Sequence, residues 1–116
     1  MPSANLSNYL LMFSSPYIGT HDPMGKKSFE DFLVTLSESE ILPRILIFWN
    51  NAVKACLEGS NLLTALAKIE RTGVRILVSG SALDQLDKKN KLRIGKLANN
   101  FDLLDAIHKA TKIVTF

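Results

Sequence analysis

The sequence contains a single cysteine, Cys56. One cysteine cannot close an internal disulfide, so nothing points to a disulfide-stapled secreted fold. Long hydrophobic runs are absent as well. The longest, such as Ile45 to Trp49, is far too short to span a bilayer. The segment Met1 to Asn8 has no basic residue ahead of Tyr9-Leu10-Leu11-Met12-Phe13, and no clear small-residue cleavage site follows. A signal peptide needs both. The reading is therefore a cytoplasmic protein with no membrane partner.

The usual catalytic constellations are missing too. His21 and His108 stand apart in sequence from Cys56 and from any paired carboxylates, and neither has metal-ligand spacing. Gly19 to Lys27 contains glycines but not the phosphate-loop spacing. Asp102 and Asp105 fall three apart on a helical stretch and read as solvent-facing. No metal and no cofactor is expected. Charge of one sign is only mildly in excess, at +3. Most of the excess sits in Lys88, Lys89, Lys91, Arg93 and Lys96. No aromatic residue interleaves with them as a base-stacking platform requires, so no nucleic-acid partner is expected. The cluster reads as a solvated loop beside a strand.

What is present is the material of one folded domain. At 47% hydrophobic and 22% charged, the 116 residues are globular in composition, not disordered, and a domain of this length can bury a core unaided. Residues 1–116 are read as one domain. Tyr9 to Phe13 is a short apolar run closed by Ser14-Ser15-Pro16, which suits a buried strand. Phe29, Phe32, Leu33 and Leu36 repeat at helical spacing. That helix could start at Asp22-Pro23, with Asp as cap and Pro in the first turn, or at Ser28.

Pro43 closes the linker, and Ile45 to Trp49 reads as a central strand covered on both faces. A short helix follows over Ala52 to Leu57. Asn61 can cap the next, with Leu62, Leu63, Leu66 and Ile69 inward and Gly73 as its left-handed terminator. Val74 to Val78 is a third covered strand, and Leu92 to Leu97 a weaker fourth after a loop. Asn99 or Asn100 caps a last helix carrying Leu103, Leu104 and Ile107. Ile113 to Phe116 is a fifth strand. Strands and helices in alternation predict a parallel sheet with helices on both faces.

In such sheets ligands gather at the carboxyl ends of the strands. Those ends here carry Ser14, Asn50, Ser79, Ser81 and Asn99, which form the candidate ligand-binding set. Helix N-termini beside them favour a small polar or anionic group. The same residue types also serve as ordinary caps and turns. Cys56 lies in a helical stretch between Val53 and Leu57. It reads as a small core hydrophobe, or alternatively as a reactive thiol if it is exposed with a lowered pKa.

From Leu42 onward the chain resembles the DsrE-like domain of YedF-type proteins. The resemblance is carried by Leu42 to Asn50, Asn51 to Ser60, Leu66 to Leu83 and Gly95 to Asn100, with a looser match at Met24-Gly25 and Phe29 to Leu36. It implies a three-layer α/β/α fold with a five-stranded parallel sheet in the order 4-3-2-1-5. It also implies a homo-oligomer, a sulfur-relay protein partner, and sulfurtransferase-like sulfur or selenium trafficking in which a cysteine carries a persulfide. That family usually bears Cys-Gly-x-Cys after the third strand. Here the stretch reads Ser79-Gly80-Ser81-Ala82. A serine hydroxyl cannot hold a persulfide. The expectation is therefore a non-catalytic binding or assembly member. The alternatives are a sulfurtransferase using Cys56 and a purely structural homo-oligomer.

Overall fold

The computed structural model describes residues 5–116. Five parallel strands form one sheet: β1 (Asn5–Phe13), β2 (Ile41–Phe48), β3 (Arg75–Ser79), β4 (Lys96–Ala98) and β5 (Lys112–Thr115). Their order is β4-β3-β2-β1-β5, as the resemblance implied. Four helices accompany them: α1 (Pro23–Ser37), α2 (Leu63–Arg71), α3 (Gly80–Leu86) and α4 (Asn100–Lys109). The result is an α/β fold with a five-stranded parallel sheet and helices on both sides.

Of the three inner strands, β2 and β3 owe their position to short apolar runs, Ile45 to Phe48 and Ile76 to Val78. Leu46, Ile47 and Phe48 of β2 are fully buried, as are Ile76, Leu77 and Val78 of β3. Arg75 interrupts the third run and is exposed at the start of β3. Alternate residues face opposite layers. Leu46, Phe48, Ile76 and Val78 join α1, α2 and α3 in one core cluster, with Phe13 stacked between Phe48 and Phe116 at centroid distances of 5.3 and 4.9 Å. Leu10, Ile45, Ile47 and Leu77 join Leu103 and Ala106 of α4 in the other.

Asp22 is the start of α1. Its carboxylate accepts from the Gly25 N–H at 2.9 Å, and Pro23 occupies the first turn, which decides between the two sequence alternatives. The Thr20 hydroxyl and the Gly25 N–H both donate to Asp22 and hold its carboxyl below the ordinary value. Gly73 ends the α2 region at φ +106°, as expected.

Five expectations need correction. Asn61 does not cap α2, which opens after Leu62, and the Leu62 N–H donates to the Ser60 hydroxyl at 3.0 Å. β1 and β2 are longer than their apolar runs, reaching back to Asn5 and Ile41, so Pro43 lies inside β2 and not in a linker. The stretch after β2 is a 3-10 helix over Asn50–Cys56, opened by Asn50 at φ +51°. The loop after β3 is helix α3. Finally, β4 is only Lys96–Ala98. Leu92, expected to open that strand, instead makes an isolated antiparallel bridge to Leu57. Gly95 explains the late start. Its φ is +88°, and a Cβ there would come within 2.9 Å of Ile76 and Val78, so the chain turns against β3 before it can pair.

Candidate functional site

The parallel ladders bring the ends of β1, β2, β3 and β4 to one side of the sheet, so all five predicted site residues lie along its carboxyl edge. Beyond that they do not share one crevice. Ser14 donates its hydroxyl to the Phe116 carbonyl at 3.1 Å, tying β1 to the end of β5. Ser79 is completely buried, and its hydroxyl accepts the Ala82 N–H at 3.2 Å as the cap of α3. Asn99 caps α4 in a reciprocal box. Its Oδ1 accepts from the Asp102 N–H at 2.9 Å, while its own N–H donates to the Asp102 carboxylate at 2.9 Å.

Helix α3 divides what remains. On one flank, Asn50 and Asn51 face Ala82 and Gln85 across a cleft of about 280 Å³. On the other, Ser81 and Asn99 line a cleft of about 400 Å³ with Asp84, Lys89 and Asp102. The structure thus unites Ser81 with Asn99, leaves Asn50 apart from them, and withdraws Ser79 into the core. Sequence reasoning missed α3 because Gly80 follows β3 directly and reads as a breaker. The signal was Ser79 itself, a capping residue placed three before Ala82. Gly80 sits close against β4: a Cβ there would lie 3.3 Å from the Ala98 carbonyl oxygen, a tight contact.

Cys56 is 0% exposed, at the end of the 3-10 helix. Its backbone carbonyl accepts from the Arg93 and Ile94 N–H groups at 2.9 and 3.2 Å. Burial pushes the thiol pKa well up, and the negative charge of Glu70 adds to the shift. Nearby, Glu58 is held below the ordinary carboxylate value, first by a hydrogen bond from Arg93 and then by the charge of Lys91. Arg93 and Lys91 both pair with it, so part of the basic cluster is locally neutralised. Among the described residues, no group of three His, Cys, Asp or Glu side chains could hold a metal ion, and no helix is long and apolar enough to cross a membrane.

A parallel five-stranded α/β/α domain ordered 4-3-2-1-5, with its sheet ends lined by serine and asparagine, is the class these observations define. Among solved structures it is similar to the ychN protein from E. coli, a DsrE-like fold, with a TM-score of 0.66. The likeness covers 97% of this chain and 99% of that one at 14% sequence identity, so it speaks for the fold. No protein-family model and no curated protein matches the sequence.

Proposed function

We propose that this chain is a non-catalytic binding or assembly member of a DsrE-like sulfur or selenium relay, holding a relay protein partner as a homo-oligomer. The observation that carries the reading is the state of Cys56, the one thiol in the sequence. Persulfide transfer needs an accessible thiolate. This thiol is buried and its proton is held more tightly than in free cysteine. The positions where the YedF pattern has cysteine are filled by Ser79 and Ala82, which are 0% and 5% exposed and hydrogen-bonded to one another. The test is transfer of labelled sulfur from a cysteine desulfurase. The expected outcome is that no label stays on the protein. Retained label that disappears in Cys56→Ala would restore the sulfurtransferase reading.

One surface favours assembly. Phe101 and Leu104 of α4 are 82% and 63% exposed, and Ile113 of β5 lies on the same side of the sheet. Large exposed apolar residues grouped on one face mark association surfaces. Light scattering should give a mass above that of one chain, and Phe101→Glu with Leu104→Glu should reduce it to the monomer. A monomeric mass for the unaltered protein over a wide concentration range would remove the homo-oligomer.

A further inference from the structure

A cavity of about 460 Å³ lies between the first half of α1 and the segment that leads into α2. None of the five strand-end residues lines it. Its size falls within the range of small-molecule sites, roughly 300–1,000 Å³. The floor is apolar and closed: Phe29 is 2%, Ala55 5% and Leu62 4% exposed. One wall is Pro16 and Tyr17, and the Tyr17 ring is held by stacking on His21 at 4.7 Å between centroids. The rim is cationic. Lys26 comes from α1 and Lys54 from the 3-10 helix, and neither is in an ion pair among the described residues. Glu30 is the one carboxylate on the rim. The Asn61 amide, also on the rim, has no hydrogen-bond partner among the described residues.

An apolar floor under two unpaired cations fits one class of ligand. A purely inorganic anion would leave the floor uncovered. A neutral apolar molecule would gain nothing from the lysines. An organic anion uses both, with its body over the floor against the half-buried Pro16 and Tyr17 and its charged group between Lys26 and Lys54. Charge-assisted contacts of this kind are about twice as strong as neutral ones. We propose that this cavity is a binding site for a small amphipathic organic anion, an aromatic or branched carboxylate. The site is independent of the relay reading, because it shares no residue with the strand ends or with Cys56.

The test is an amide NMR titration of the whole chain with three probes: naphthalene-2-carboxylate, neutral 2-naphthol and inorganic phosphate. With the carboxylate, saturating shifts should centre on Tyr17, Lys54, Gly59 and Asn61. The naphthol and the phosphate should each bind at least about tenfold more weakly. Lys26→Met with Lys54→Met should weaken the carboxylate by about tenfold or more, with an unchanged melting temperature. Each single lysine variant should show part of that loss, which keeps the test open should the double variant be unstable. The proposal is overturned by any of three results. Shifts could gather on Phe101 and Leu104 instead, they could grow without saturating, or 2-naphthol or the lysine variants could bind as tightly as the carboxylate and the unaltered protein.

Discussion

The two faces of the sheet are built unequally. One is covered by α1, α2, α3 and the 3-10 helix, which bury 21 residues in a single cluster with Phe13 among its rings. The other is covered by α4, over a cluster of 7. The thick face holds the larger core, but it leaves Met24 and Val34 of α1 exposed and a cavity open between α1 and the start of α2. The thin face leaves Phe101 and Leu104 facing outward on the only helix that packs in that cluster. Most of the buried core thus comes from the thick face, whereas the thin face rests on one helix whose Phe101 and Leu104 stand exposed three residues apart.

The sharpest way to break that comparison is to remove matched side chains from each side. Leu33→Ala, on the thick face at 0% exposure, should cost about 4–5 kcal/mol by urea unfolding. Leu103→Ala, at 1% exposure on the thin face, should fall nearer the lower end for such a change, about 2–3 kcal/mol. Fewer neighbours than on the thick face surround the hole it leaves. Equal costs would mean that the two layers hold the sheet equally.

A pH series sharpens the thick side. Because burial raises the Cys56 pKa, the folded state keeps the thiol proton where the unfolded chain has lost it. That contribution is whole below the ordinary thiol pKa of ~8.5 and is lost as pH rises above it, at a slope of up to about 1.4 kcal/mol per pH unit. The stability difference between the unaltered protein and Cys56→Ala should therefore shrink from pH 8 to pH 10. A difference that stays constant would mean that water reaches the thiol.

Losing the cap of α4 probes the thin side more gently. Asn99→Ala should cost about 1 kcal/mol and speed amide exchange in Leu103 to Ile107 while leaving α1 unchanged. The smallest effect is expected from Phe101→Glu. At 82% exposure it should move the stability of the isolated chain by no more than about 0.5 kcal/mol. A large loss of monomer stability would show that Phe101 belongs to the fold and not to a docking surface.

The apolar runs of β2 and β3 and the Gly73 stop were legible, and Asp22-Pro23 was one of two starts offered for α1, because each is a local signal with a local cause. A fully covered strand needs unbroken apolar residues, and a helix end needs a particular cap. Asn99 was one of two caps offered for α4 for the same reason, and the structure chose it. The short β4 and the helix α3 were not. β4 is three residues long because Gly95 must pass close to Ile76 and Val78, which lie some twenty residues away in sequence. α3 opens on a glycine that lies close to the Ala98 carbonyl oxygen, a neighbour brought there by the sheet and not by the local sequence.

The candidate site divides along the same line. Sequence placed Ser14, Asn50, Ser79, Ser81 and Asn99 at the strand ends, because chain direction in a parallel sheet is enough for that. Packing in three dimensions buries Ser79 as a cap, puts Ser81 and Asn99 in a cleft without Asn50, and sets Lys26 and Lys54 on the rim of one cavity. The last pairing joins α1 to the segment after β2. No spacing in the chain encodes it, because it arises only when both elements settle on the same face of the sheet.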